Sequence, residues 1–229
     1  MQRIDTAAIE TFGIPRLLLM EHAGLAVAQA ASAVKRFGAA AASHQSPAEP
    51  PAAPSWIVVC CGTGYNGGDG LSAARHLEAW GFDVRVLLAG RLDQLREEPA
   101  LYATMLQRLG IAVAACPTVE ELTPTARWFA DCALVIDALL GIGVRGPVRE
   151  PMATLIEHMN RSRKPIIAAD IPSGLDADTG LPQGCAVRAT VTVAFGLPKH
   201  GCFVGEGPAH VGELIVDPIT IPRVLLERA

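Results

Sequence analysis

The sequence has few aromatic residues and no run of basic residues, and both features argue against nucleic acid as a partner. Phe, Trp and Tyr make up only 5% of the 229 residues, and the formal net charge is −4. A chain that binds nucleic acid usually carries a basic stripe for the phosphates or aromatic rings for the bases. We therefore expect no nucleic acid among its partners.

Membrane and export signals are also scarce. No apolar run approaches the roughly 18 residues that span a bilayer, and the opening stretch MQRIDTAAIETFG lacks the apolar centre of a signal peptide. The six cysteines are scattered without a C-x-x-C pair, which favours buried reduced thiols over a metal site or a disulfide framework. These features predict a cytoplasmic protein without a membrane partner.

Residues 56–70, WIVVCCGTGYNGGDG, join an apolar segment to a run of glycines. The uncharged segment predicts a strand covered on both faces, as in a parallel sheet. The glycines predict a turn that a ligand can approach, with a helix opening near Asp69. An ordinary NAD fingerprint would also place an acid after the second strand, but Ala-Gly-Arg stands there at 89–91. The stretch is interpreted as a ligand loop outside the ordinary dehydrogenases, the alternative being a tight turn without a ligand.

Strand and helix patterns alternate along the rest of the chain, which predicts an α/β fold with a mostly parallel, doubly wound sheet and helices on both faces. Strands are predicted at 56–61, 83–88, 111–115, 132–140, 164–170, 189–195 and 213–217. Helices are predicted at 5–12, 16–37, 69–80, 94–109, 118–130 and 150–162. The length fits a single domain over 1–229, in which the Ala- and Pro-rich residues 38–55 form a flexible insertion.

Polar residues follow three of the predicted strands. Asn66 and Asp69 follow the first, Asp137 lies near the end of the fourth, and Asp170 and Ser173 follow the fifth. If these strands are neighbours, their polar residues converge where ligands bind in such sheets. The alternative is that each acid caps the next helix or turn.

The residue types suggest a cation site beside an acid–base group. Asn66, Asp137 and Ser173 offer hard oxygen donors with little negative charge, which favours a monovalent cation. Asp170 is then free to act as a general acid or base. Nucleophile and zinc motifs such as G-x-S-x-G and H-E-x-x-H are absent.

Two further loops carry cationic residues. Arg145 lies in a glycine-rich loop and is placed to pair with a phosphate. Lys199 and His200 are predicted to lie in a loop, either exposed or in contact with a ligand.

Several spaced motifs together resemble the NAD(P)H-hydrate epimerases, the YjeF N-terminal domain family. They occur in the family's order over nearly the whole chain except 38–55. The motifs are GIPRLLLMEHAG, CGTGYNGGDGLSAARHL, DALLGIGVRGPVREP, ADIPSGLDADTG, FGLPKHG and GELIVDPITIP.

The resemblance implies a Rossmann-like three-layer α/β/α sandwich, a homodimer, and one potassium ion for each subunit. It implies interconversion of the R and S epimers of hydrated NADH or NADPH (NADHX and NADPHX), so that a dehydratase can repair the S form. We expect Asp170 to be the catalytic residue. The implied potassium ligands are Asn66, Asp137 and Ser173. The implied substrate contacts are Tyr65, Asn66, Gly67, Gly68, Asp69, Gly141, Ile142, Gly143, Val144, Arg145, Gly146, Pro147 and Asp170.

The chain departs from the family's pattern at two motif positions. Tyr65 replaces the first Asn of the usual Asn-Asn-Gly-Gly-Asp, and His22 replaces the Asn of Met-Glu-Asn-Ala-Gly. The alternative function is a non-catalytic dimeric scaffold of the same fold, which binds a nucleotide or a protein. The retained polar residues at the strand ends favour the enzyme.

Overall fold

Seven parallel strands form one sheet in the computed structural model, which describes residues 2–42, 56–143 and 145–227. The strand order is β3-β2-β1-β4-β5-β6-β7, and every neighbouring pair is parallel. The strands are β1 Ile57–Cys61, β2 Val84–Leu88, β3 Val113–Ala115, β4 Leu134–Ala138, β5 Ile166–Ala169, β6 Val191–Phe195 and β7 Glu213–Asp217. The predicted α/β fold with a doubly wound sheet is confirmed, and so is the adjacency of the first, fourth and fifth strands.

Helices cover both faces of the sheet and create two hydrophobic cores. Ile57 and Val59 of β1 belong to one core and Val58 and Cys60 to the other, because alternate side chains of a strand point to opposite faces. The helices are α1 Gln2–Glu10, α2 Arg16–Ala42, α3 Tyr65–Ala79, α4 Glu97–Arg108, α5 Val119–Leu122, α6 Ala126–Asp131, α7 Met152–Ser162, α8 Gly207–His210 and α9 Arg223–Leu226.

The helix after the glycine run begins earlier than predicted. It starts at Tyr65 and not near Asp69, so the glycines form its first turn. The Gly68 N–H already donates to the Gly64 carbonyl at 3.2 Å. A Cβ atom at Gly67 would overlap the carbonyl group of Gly62. Glycine is therefore required here for close packing of the turn. The helix start was predicted too late because glycine has a poor helix propensity.

Two predicted helices are interrupted. The region predicted at 118–130 divides into α5, a 3-10 turn at Thr123–Thr125 and α6, because Pro124 lacks the N–H that a continuous helix needs. The region predicted at 94–109 begins with a 3-10 turn at Leu92–Gln94 before α4 starts at Glu97.

Helix α2 corrects two expectations. It runs to Ala42, so 38–42 continue the helix, while the remaining 43–55 of the predicted insertion lie outside the described residues. Its segment Arg16–Val34, with a mean hydropathy of 1.4, is the one helix among the described residues that is long and apolar enough to cross a membrane. The expectation that no segment reaches this limit was wrong, because alanines and leucines outweigh the few charged residues. Half of the segment is buried, as in a helix that packs on a core.

The small-residue face of α2 packs inside the chain. A Cβ atom at Gly24 would overlap the Ser72 side chain and lie 2.8 Å from the Ala73 backbone nitrogen. Gly24 therefore permits the close approach of α2 to α3.

Candidate functional site

A cavity of about 700 Å³ opens at the carboxyl ends of the central strands. Its walls come from α1, α2, the start of α3, the loop after β4 and the ends of β5 and β6, which is the usual ligand position in an open α/β sheet. The lining residues are Asp5, Thr6, Arg16, Leu19, Met20, Ala23, Thr63, Gly64, Tyr65, Asn66, Asp69, Arg96, Leu139, Leu140, Gly141, Ile142, Gly143, Met152, Asp170, Phe195 and Ile219.

Asp137 and Ser173 meet beneath this cavity and tie two loops together. The Ser173 N–H donates to Oδ2 of Asp137 at 2.8 Å, and its hydroxyl donates to Oδ1 at 2.5 Å. The Leu140 N–H donates to the Ser173 hydroxyl at 2.9 Å. Burial raises the pKa of Asp137 to about 6, although the hydrogen bonds from Ser173 act in the opposite direction. The loops after β4 and β5 are thus fixed around one buried carboxyl group.

Asn66 has a buried side-chain amide without a hydrogen-bond partner in the described part of the chain. Neither Oδ1 nor Nδ2 has a hydrogen bond to any residue that the structure describes, and burying such a group unpaired costs about 1–3 kcal/mol. A Cβ atom at Gly141 would lie 3.4 Å from Cβ of Asn66, so Asn66 borders the loop that Ser173 holds. A cation would satisfy Oδ1, and an acceptor on a ligand would satisfy Nδ2. The donor set fits a hard cation of low charge.

A cluster of three or more His, Cys, Asp or Glu side chains that could hold a metal ion does not occur among the described residues. The candidate site of Asn66, Asp137 and Ser173 contains a single carboxylate, so it does not resemble a zinc or calcium centre.

The sequence predicted that Asp170 is free of other contacts. The structure differs, because Lys199 forms an ion pair with it. Lys199 is only 6% exposed. Its ammonium group donates to Oδ1 of Asp170 and to the Phe195 carbonyl at 3.0 Å. The Phe195 N–H also donates to Oδ1, at 3.1 Å, whereas no described residue donates to Oδ2. Lys199 is therefore a buried part of the site, whereas His200 beside it is exposed.

The backbone of Asp170 adopts a left-handed conformation with φ +68°, which is strained for a residue other than glycine. Asp170 follows directly after β5, and its N–H donates to the Val193 carbonyl of β6 at 2.8 Å. The sheet and Lys199 together hold the carboxyl group at the cavity wall.

Two other carboxyl groups share the cavity with Asp170. Burial raises the pKa of Asp69 well above its usual range, and the charges of Asp170 and Asp5 raise it further, while Lys199 lowers it. Burial and the charge of Asp170 also raise the pKa of Asp5. Asp69 and Asp5 therefore hold protons more tightly than free carboxyl groups do, which eases the repulsion among the three acids. Asp5 was not among the residues predicted from sequence.

Tyr65 stands at the cavity wall between two arginines that sequence analysis also missed. The guanidinium carbon of Arg16 lies 4.4 Å from the centre of the Tyr65 ring, and that of Arg96 lies 4.5 Å from it. Both distances fall within the range of cation–π interactions. The three residues lie far apart in the sequence, so no local motif connects them.

The second predicted contact loop is only partly at the cavity. Gly141, Ile142 and Gly143 line it, and Val144 lies outside the described residues. Arg145, Gly146 and Pro147 are exposed and do not line it. The phosphate contact of Arg145 remains a prediction.

Comparison with known proteins places these features in a family. The family model described as YjeF-related protein N-terminus matches residues 16–201. A crystal structure of the yeast protein ynu0 has the same fold, with a TM-score of 0.79 at 24% identity, and the match covers 99% of this chain and 89% of that one.

Curated relatives share much of the sequence. The bifunctional NAD(P)H-hydrate repair enzyme Nnr of Pyrobaculum aerophilum is 44% identical over 93% of this chain, which spans 39% of that protein. The corresponding enzyme of Salinibacter ruber is 39% identical over 100% of this chain, which spans 41% of it. The NAD(P)H-hydrate epimerase of Limosilactobacillus fermentum is 37% identical over 94% of this chain and 92% of its own length. This chain therefore spans about two fifths of the two bifunctional relatives and belongs to the YjeF-related protein N-terminus family.

Proposed function

We propose that this chain interconverts the R and S epimers of NADHX and NADPHX, so that a dehydratase can return the S form to the normal cofactor. The observation that carries the proposal is the match to the Limosilactobacillus fermentum epimerase over 92% of that protein's length. The fused repair enzymes among the relatives support coupling to a dehydratase. The test is whether both epimers are consumed when the chain is added to a dehydratase that accepts only the S form.

Asp170 is the proposed catalytic residue. Its carboxyl group lines the cavity, and its Oδ2 is not engaged by any described residue. It accepts a proton from the substrate at or next to the hydrated C6 and returns it after the configuration has changed, so no net proton is consumed. A positioned acid–base group typically accelerates such a step by about 10²–10⁴-fold. Lys199 holds the carboxyl group in place and compensates its charge.

The proposed potassium ligands are Asn66, Asp137 and Ser173. The amide of Asn66, which has no partner among the described residues, supports this assignment, as does the single buried carboxyl group of Asp137. When bound, the ion supplies positive charge that offsets the carboxyl groups around the substrate. Ser173 is hydrogen-bonded to Asp137 and to the backbone of Leu140, so it also fixes the positions of the two loops that carry the ligands.

The proposed substrate contacts are the start of α3, residues 65–69, and the loop 141–147 in addition to Asp170. Tyr65, Asn66 and Asp69 line the cavity, whereas Gly67 and Gly68 are buried behind them and do not line it. The chain is further proposed to act as one domain, as a homodimer and in the cytoplasm.

Replacing Asn66 by Leu is expected to abolish stabilisation by potassium. In KCl, compared with choline chloride at equal ionic strength, a bound ion at about ten times its dissociation constant adds about 1.4 kcal/mol. That raises the melting temperature of the unaltered chain by about 3–6 °C. Asn66→Leu should lose this rise, because leucine removes the oxygen donor, and Asn66→Asp should retain it. Thermal melts measure the effect without reference to activity.

The potassium assignment is contradicted if KCl stabilises Asn66→Leu as much as it stabilises the unaltered chain. It is also contradicted if sodium and choline chloride stabilise the unaltered chain as well as potassium chloride does.

A further inference from the structure

The cavity wall carries both acidic and basic side chains. The acids Asp5, Asp69 and Asp170 come from α1, from α3 and from the end of β5. Arg16 and Arg96 are the only basic residues among the described residues of the lining. A dinucleotide carries its negative charge on phosphates, which the carboxyl groups repel. Its phosphates are therefore drawn to the arginines, and its uncharged hydrated ring is free to approach the acids.

The two arginines are placed to bind a shared anion. Both guanidinium groups contact one aromatic ring, that of Tyr65, at 4.4 and 4.5 Å from its centre. Arg16 has one long ion pair, in which its Nε lies 3.6 Å from Glu98. Arg96 has no carboxylate within ion-pair distance among the described residues. Glu98 is thus the one carboxylate of the described residues within ion-pair distance of either arginine, which leaves guanidinium N–H groups available to a phosphate.

Guanidinium groups suit phosphate better than other cations in proteins, because their planar fork donates two parallel hydrogen bonds to it. The Tyr65 ring restricts both side chains before any ligand arrives, which reduces the entropy lost on binding. The family usually has asparagine at this position, and asparagine has no ring that could contact the two arginines. The arrangement therefore depends on a feature in which this chain departs from that pattern.

We propose that Arg16 and Arg96 form a phosphate subsite for the dinucleotide, and that Tyr65 is the positioning residue that holds both. The subsite orients the substrate with its phosphates at the N-terminal ends of α2 and α4 and its hydrated ring at Asp170. This inference rests on the proposed function for the identity of the dinucleotide. Its chemistry fits either the pyrophosphate or the 2′-phosphate.

Calorimetric binding of ADP-ribose and of 2′-phospho-ADP-ribose tests the subsite. Arg16→Gln and Arg96→Gln are each expected to weaken binding by about 10- to 100-fold, which is the range for loss of a charge-assisted hydrogen bond. Equal weakening for both compounds assigns the pyrophosphate, and weakening for the 2′-phospho compound alone assigns the 2′-phosphate. Arg91→Gln is the matched control, because Arg91 is exposed, pairs with Asp93 and does not line the cavity; it should bind within twofold of the unaltered chain.

Tyr65 variants test the positioning role separately. Tyr65→Phe keeps the ring and should bind like the unaltered chain, whereas Tyr65→Asn should weaken binding of the same compounds.

The arginine variants should also raise KM for NADHX while kcat stays within about threefold. The reason is that the arginines bind the substrate and the transition state equally well and take no part in the proton transfer.

Three results would overturn the subsite. They are unchanged affinity in both arginine variants, equal loss in Arg91→Gln, and failure of the unaltered chain to bind either compound. Failure of the proposed function looks different. In that case the unaltered chain would bind ADP-ribose through both arginines but leave the ratio of R to S epimers at its spontaneous value.

Discussion

Asp170→Asn is expected to slow epimerisation by about 10²–10⁴-fold, because the amide cannot take up and return the proton. Binding of ADP-ribose should change little, since the variant keeps the size of the side chain and an oxygen that accepts from Lys199 and the Phe195 N–H. The measurement is the rate at which pure (S)-NADHX gains the R epimer, followed by chromatography.

Asp93→Asn serves as the matched control for this variant. Asp93 is exposed, pairs with Arg91 and does not line the cavity, so its removal should leave the rate unchanged. Full activity in Asp170→Asn would remove Asp170 from the catalytic role. A parallel collapse of ADP-ribose binding would instead make it a binding residue.

Lys199→Met is expected to lower the free energy of unfolding by about 3–5 kcal/mol, which is the usual cost of leaving one partner of a buried ion pair alone. The side chains of Lys199 and Asp170 are only 4% and 12% exposed, so water compensates for the lost ammonium group only in part. The variant should also lose most of its epimerase activity, because the carboxyl group at the cavity wall is no longer held. Urea unfolding measures the stability change.

The double variant Asp170→Asn with Lys199→Met separates this pair from a general effect of burial. Removing both charges should restore part of the stability lost in Lys199→Met, because no unpaired charge remains. Lys164→Met, at a half-exposed position outside the cavity lining, should change stability by less than about 0.5 kcal/mol. If the double variant loses the sum of the two single losses, the ion pair is not the source of the effect.

The strands and their convergence could be predicted from sequence because each depends on local pattern. Uncharged apolar runs identify buried strands, and a polar residue directly after such a run lies at the carboxyl edge of the sheet. That reasoning brought Asn66, Asp137 and Ser173 to one edge, where the structure places them. Their roles as cation ligands remain predictions.

The remainder of the site depends on contacts between distant parts of the chain. Lys199 reaches Asp170 through the loop after β6, and nothing in the local sequence GLPKHG distinguishes a buried lysine from an exposed one. Arg16, Tyr65 and Arg96 start or precede three different helices, so their meeting follows from packing and not from spacing. The early start of α3 was missed because glycine disfavours helices in general, although close packing requires it here.

The central claim is epimerisation, and its most direct test is the fate of a mixture of R and S epimers of NADHX given a dehydratase that accepts only the S form. The mixture is followed by chromatography with and without this chain, in potassium chloride and in choline chloride. The proposed function predicts that both epimers disappear only when the chain is present, and that potassium accelerates the loss of the R epimer. Persistence of the R epimer at its spontaneous rate would contradict the proposed function and favour a non-catalytic scaffold of the same fold.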